Sequence, residues 1–169
     1  MEVNIGEQMK VLVMSDSHGL HKNIERVLAL ESPIDMFIHL GDVESDEAFI
    51  MARITCEKHI VRGNNDFFSS LPREELVQIG SHLAFLTHGH NYYVSFDSQM
   101  IIEEALARGA DIVMYGHTHK PLLQIEDEIT VLNPGSISLP RQKEKKPSYA
   151  VLDVSENGEI TYDIRCLKD

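Results

Sequence analysis

Apolar and polar positions follow two different rhythms along this chain. In the first part, short continuous apolar runs alternate with stretches in which apolar residues recur every three or four positions. Lys10–Ser15 (KVLVMS) reads as a buried strand, and Leu20–Leu30, with Ile24, Val27 and Leu28 on one stripe, as an amphipathic helix. Asp35–Leu40 (DMFIHL) predicts a second strand, Asp46–Ile54 a second helix and Lys58–Arg62 (KHIVR) a third strand. Strands that alternate with helices imply a parallel sheet with right-handed crossovers.

Later the rhythm changes. Glu75–Ile79 and His82–Thr87 flank Gly80-Ser81 and read as a hairpin. Ser98–Arg108 predicts a helix with Ile101, Ile102, Ala105 and Leu106 on its buried side, stopped by Gly109. Strands follow at Asp111–Tyr115, Leu122–Glu126, Ile129–Leu132, Tyr149–Val154 and Glu159–Arg165, the last two joined by Glu156-Asn157-Gly158. Parallel strands early and hairpins late predict two sheets packed face to face with helices outside. No repeat, biased tract or flexible linker interrupts the pattern, so residues 1–169 read as one domain, with 1–8 a dispensable extension or an alternative start.

Composition narrows the function. The chain has 169 residues, enough for one sizeable core and short for two. No apolar run approaches the roughly 18 residues of a membrane span, and MEVNIGEQMK lacks the charged-then-apolar pattern of a leader. Cys56 and Cys166 belong to no metal-type spacing and read as reduced thiols of a cytoplasmic protein. With 15 basic against 27 acidic residues, a net charge of −12 argues against a broad nucleic-acid surface. It leaves a phosphate-bearing small molecule open, because bound cations invert the local field. The 9 histidines are the first hint of metal chemistry.

The chemistry lies where the strands stop. The first strand is followed by Ser15-Asp16-Ser17-His18-Gly19, the second by Gly41-Asp42-Val43 and the third by Gly63-Asn64-Asn65-Asp66. Later strands lead into Thr87-His88-Gly89-His90 and Gly116-His117-Thr118-His119. Each motif alone has a plainer reading as a turn, a helix cap or a hydrogen-bonded histidine. Together they put a carboxylate, carboxamide or imidazole beside a glycine at five strand ends, the side of an α/β sheet where ligands bind. Asp16, His18, Asp42, Asn64, His88, His117 and His119 offer oxygen and nitrogen without thiolate. That set suits manganese, iron, zinc or nickel, and it is too long for one ion. Two ions about 3.5–4 Å apart, sharing one carboxylate, activate a water and clamp a phosphoryl group.

Asp16-x-His18, Gly41-Asp42, Gly63-Asn64, His88-Gly89 and Gly116-His117-x-His119 resemble, in order, the motifs of the calcineurin-like metallophosphoesterases. Asn133-Pro134-Gly135-Ser136 fits their small single-domain bacterial and archaeal phosphodiesterases. The resemblance spans about Met9 to Arg165 and implies an α/β fold, a four-layer α/β/β/α sandwich of two mostly mixed β-sheets flanked by helices. It implies two divalent ions, manganese first and zinc, nickel, iron or magnesium as alternatives. Asp16, His18, Asp42 and His119 are assigned to one ion. Asp42, Asn64, His88 and His117 go to the other, with Asp42 bridging. The implied reaction is hydrolysis of a small or nucleotide-like phosphodiester by a metal-bound hydroxide.

One position departs from many relatives, which have His after the motif's Asn; here it is Asn65, which cannot act as an acid. Leaving-group assistance is therefore the weak point, and aryl diesters are expected to turn over better than alkyl ones. Beside the catalytic Asp42 and Asn64, His90 is expected to donate to phosphate or to the leaving group. His90, Asn65 and Arg141 are the expected substrate contacts. His39 reads as a packed histidine that orients a ligand from behind, while His21, His59 and His82 read as surface and Arg62 as structural. Tyr92-Tyr93 either line the mouth of the crevice or pack beside it. Alternatives are a phosphomonoesterase and a non-catalytic, protein-binding scaffold of the Vps29 kind. The resemblance also admits a homodimer or homotetramer.

Overall fold

The computed structural model describes residues 8–169; the proposed N-terminal extension falls almost wholly on residues 1–7, outside the described residues. Among the described residues, ten strands form two five-stranded sheets. The first contains β1 (Met9–Met14), β2 (Met36–His39), β3 (Glu57–Ile60), β9 (Ser148–Val154) and β10 (Ile160–Cys166), in the order β10-β9-β1-β2-β3. Its β1, β2 and β3 run parallel, connected through α1 (Lys22–Glu31) and α2 (Asp46–Arg53), while β9 and β10 return antiparallel. The second sheet contains β4 (Glu74–Ile79), β5 (His82–Thr87), β6 (Ile112–Met114), β7 (Pro121–Ile125) and β8 (Thr130–Pro134), in the order β4-β5-β6-β8-β7.

Alternation along β1 shows why the layers stack. Val11 and Val13 point between the sheets, where they meet Val77, Leu86, Met114 and Leu132; Leu12 and Met14 point outward to Ile24, Val27 and Ile50 of the helices. Period-two side-chain placement means that a strand apolar at every position must be covered on both faces. On the second sheet, Phe85, Val113 and Val131 point away from the first sheet and are covered by Ile101 and Ala105 of α3 (Gln99–Ala107). The result is the α/β/β/α sandwich.

The second sheet is mixed, as expected, and its pairing goes beyond the hairpins read after residue 70. It has antiparallel edges, but β5, β6 and β8 run parallel. Helix α3 supplies the crossover from β5 to β6, and β7 turns back so that β8 enters beside β6. Helix α1 also starts later than its apolar stripe suggested, at Lys22, because Ser17–His21 form the turn that carries His18. Among the described residues, no helix is long and apolar enough to cross a membrane.

Candidate metal centre

The C-terminal ends of β1, β2, β3, β5 and β6 meet at one edge of the sandwich, and backbone hydrogen bonds tie their loops together. The Asp16 amide donates to Gly41 O (3.0 Å), the His18 amide to Asp42 O (2.9 Å) and the Gly116 amide to His88 O (3.1 Å). Contact is so close that a Cβ on Gly116 would lie 1.9 Å from Ser15 Oγ and 2.5 Å from Asp16 Oδ2. Likewise a Cβ on Gly63 would lie 2.2 Å from Asp42 Oδ1, so only glycine lets these loops pass beside the carboxylates.

Inside this crevice, Asp16, His18 and His119 offer ligand atoms within 4.8 Å of one another, and so do Asp16, Asp42 and His88. Asp42 Oδ2 lies 3.3 Å from His88 Nε2 and 3.7 Å from His18 Nε2. Asp16 Oδ1 lies 3.8 Å from each of those nitrogens and 3.2 Å from His119 Nε2. Both carboxylates therefore stand between the two groups, whereas the resemblance gave the bridging place to Asp42 alone. The His117 ring stands edge-on to His88 at 5.2 Å between centroids, and its amide donates to Asp16 Oδ2 (3.1 Å). Asn64 is exposed at the rim, and its side chain makes no hydrogen bond among the described residues.

The imidazoles are held from behind. His88 Nδ1 donates to Leu40 O and His119 Nδ1 to Leu139 O, each at 2.7 Å; a carbonyl only accepts, so Nδ1 carries a proton and Nε2 turns inward, that of His119 lying 3.2 Å from His18 Nε2. Among the described residues, buried Asp16 Oδ1 and His88 Nε2 have no hydrogen-bond partner. Two orphaned polar atoms facing each other at full burial are costly, and a divalent cation between them is the group that fits.

Electrostatics agrees with that fit. Burial alone would raise the Asp16 carboxyl, but the imidazoles of His119 (3.2 Å), His18 (3.8 Å) and His88 (3.8 Å) beside Oδ1 hold it well below the usual carboxylate range. Asp42 is likewise brought down to about 2 against the effect of burial, through His88 and Asn65. His18 is pushed up, chiefly by the Asp16 carboxylate beside it; for His88 burial opposes protonation, but Asp42 and Asp16 push it up. The two carboxylates thus favour the protonated forms of His18 and His88.

Asn65, His90, Arg141 and the four other histidines take separate places. Asn65 directs both its backbone amide (2.9 Å, to Oδ1) and its side-chain Nδ2 (2.9 Å, to Oδ2) onto Asp42. His90 is half-buried, with an unpartnered Nδ1; burial and then His88 and His117 push its pKa down. Arg141 is exposed, and its amide donates to His119 O (2.9 Å). His39 is fully buried as expected: its Nδ1 accepts from the Gly41 amide (3.2 Å), its Nε2 meets Ser17 Oγ (3.0 Å), and burial lowers its pKa to about 4. His21 stacks on Phe49, while His59 pairs with Glu57 and Glu75, and His82 pairs with Asp111.

Sequence reasoning missed the clamps. Buried Asp66 accepts from the amides of Gly63 (2.7 Å), Val43 (3.3 Å) and Glu44 (2.7 Å), joining the loops that carry Asn64 and Asp42. Its signal is the Gly-x-x-Asp spacing of a turn in which a carboxylate caps its own loop. Ser136 Oγ donates to Asp16 O (2.8 Å), and Asn133 Nδ2 donates to Gly116 O (3.0 Å), so the Asn133–Ser136 loop staples the first and fifth motifs.

The calcineurin-like phosphoesterase superfamily domain matches residues 9–157. The chain belongs to that superfamily. It is 33% identical over 154 residues to the probable metallophosphoesterase YsnB of Bacillus subtilis, covering 90% of this chain and 88% of that protein. It is also 33% identical over 170 residues to the phosphodiesterase YfcE of Escherichia coli K12, covering 86% and 88%. Among solved structures it superposes on vacuolar protein sorting 29 of Cryptosporidium parvum with a TM-score of 0.80, over 96% of this chain and 93% of that one. At 24% identity that last likeness speaks for the fold. Membership in the superfamily makes the chain a metallophosphoesterase homologue, and its buried His/Asp groups are those of a metal-binding site.

Proposed function

We propose that this protein is a phosphodiesterase dependent on two divalent cations. The observation that carries the reading is the pair of buried carboxylates, Asp16 and Asp42, enclosed by His18, His88 and His119, with Asp16 Oδ1 and His88 Nε2 left unpartnered. Asp16, His18, Asp42 and His119 would hold one ion, and Asp42, Asn64, His88 and His117 the other, with manganese the first expectation. When bound, such ions supply an acidified water for attack and neutralise charge on the phosphoryl oxygens.

The chain's own residues orient and polarise. Leu40 O and Leu139 O keep the Nε2 atoms of His88 and His119 aimed inward, and Asn65 fixes the rotation of the Asp42 carboxylate. The expectation that Asn65 reaches substrate gives way to this orienting role. His90, whose Nδ1 is free and whose ring lies 5.5 Å from that of His88, is placed to donate to a phosphate oxygen or to the leaving oxygen. Arg141, at the rim beside the His117–His119 loop, is a candidate contact for the substrate phosphate.

The test is a hydrolysis assay on chelator-stripped protein with manganese, zinc, nickel or magnesium restored in turn, on aryl phosphodiesters and monoesters. Metal-dependent turnover that favours diesters, and falls to background in Asp42→Asn and His88→Ala, is the expected result. Monoester preference would move the reading to a phosphatase. No turnover with the metal sites demonstrably filled would favour a binding scaffold on the same fold.

A further inference from the structure

Beside the metal centre lies a cleft of about 300 Å3, at the lower end of the roughly 300–1,000 Å3 of small-molecule sites. Its inner wall is Gly63, whose Cα approaches the Asp42 carboxylate, together with Asn64 and His90. Its outer wall is Arg62, Arg73, Asn91 and Phe67, and Asp66 also lines it. In a chain with 27 acidic and 15 basic residues, neither arginine forms an ion pair among the described residues. Arg62 spends one guanidinium nitrogen on Ser69 O at 3.4 Å, which leaves most of its donors free. The Asp66 carboxylate in the same cleft already accepts from the Gly63, Val43 and Glu44 amides, so the two guanidiniums have donors left for an anion.

The surroundings indicate what the anion is attached to. Phe67 is 76% exposed and stands at the lip of the cleft, a cost that stacking against a flat ring would recover. On the other side of Phe67 a second cleft, of about 270 Å3, carries Glu44 and Glu47 and no cation. An anionic arm leaving the metal centre is therefore drawn to the arginine side and repelled from the other.

We propose that the Arg62–Arg73 cleft is a subsite for a second phosphate, so that the preferred substrate is a phosphodiester with one arm ending in a phosphomonoester and a ring of that arm on Phe67. This rests on the diesterase reading above, and it gives Arg62 a substrate role in place of the structural one expected from sequence.

The experiment compares thymidylyl-thymidine with and without a 5′-phosphate on the metal-loaded full chain, with bis(p-nitrophenyl) phosphate as the control for diesterase activity. The phosphorylated dinucleotide is expected to show a KM at least about tenfold lower than the unphosphorylated one, with similar kcat. In Arg73→Gln, at an exposed position where folding is not at stake, that KM ratio should collapse toward one. Arg62→Gln should do the same, and Phe67→Ala should raise KM for both dinucleotides together. Equal KM values in the wild type, or a ratio that survives both arginine substitutions, would overturn the subsite while control turnover leaves the diesterase reading standing. If the control is not hydrolysed the diesterase reading fails. Calorimetric binding of the two dinucleotides to the same protein then decides the subsite: tenfold tighter binding of the phosphorylated form upholds it, and equal binding ends it.

Discussion

At the residue scale, the most telling feature is backbone conformation. Asp16, His18, Asp42, His117 and His119 all have φ between +51° and +68°, the left-handed region that non-glycine residues avoid. Five proposed ligands share it, so the loops hold strain where they present donors to the crevice. His117 allows a clean test, because it is only partly buried. His117→Gly removes the steric penalty and His117→Ala keeps it, so the metal-free Gly variant should be about 1 kcal/mol more stable than the Ala variant. Both should lose activity, and thermal unfolding of the stripped proteins reads the difference. Asn65 yields the second prediction at this scale. It occupies the position where an acid would stand and is bonded to Asp42 instead. Turnover of a series of phosphodiesters should then rise steeply as the leaving group becomes more acidic. A rate independent of leaving-group pKa would show that another residue, His90 foremost, protonates it.

At the scale of elements, the loops after β2 and β3 are held in register by one side chain. Asp66 accepts three backbone amides, so Asp66→Ala should orphan Gly63, Val43 and Glu44 at once. The expected outcome is a loss of about 10- to 100-fold in metal affinity, measured by competition with a chelator, and a smaller loss in Asp66→Asn, which keeps one acceptor oxygen. Elements were also where the sequence was most legible. The continuous apolar run Val11–Met14 of β1 announced a strand covered on both faces, and the Ile101–Ala105 spacing announced the buried stripe of α3. The parallel run of β5, β6 and β8 was not legible, because periodicity specifies that a segment is a strand but not which strand lies beside it.

At the scale of the whole molecule, one buried carboxylate ties the C-terminal strands to the first helix. Glu31, at the end of α1, receives Lys10 from β1 (2.9 Å), Arg165 from β10 (2.8 Å) and the Tyr149 hydroxyl from β9 (2.8 Å). Burial acts to raise its pKa, but these partners bring it down to about 2 from the usual 4.5. A carboxyl with a depressed folded pKa stabilises the fold fully above its unfolded pKa and loses that contribution as pH falls toward the folded value. Glu31 should therefore contribute about 2 to 3 kcal/mol at neutral pH, lost between roughly pH 4.5 and pH 2. Asp16 and Asp42 titrate in acid as well, so the measurement is a difference: urea unfolding of metal-free wild type and Glu31→Gln from pH 7 downward. The two curves should converge as pH falls through that window.

The amino-acid sequence by itself determined the inventory: which runs are strands, which faces are apolar, and that Asp16, His18, Asp42, Asn64, His88, His117 and His119 follow strand ends beside glycines. Those properties are local, set by side-chain type and spacing of a few residues. Only the tertiary structure decided that Asp16 and Asp42 both stand between His18 and His88, and that Asn65 turns inward to Asp42. It also decided that Asp66 locks two loops and that Arg62 and Arg73 share a cleft. Each of these joins segments brought together by the packing of one sheet on the other or by the meeting of parallel strand ends. Such contacts depend on how the whole chain excludes water from its core, and no short stretch of sequence carries that information.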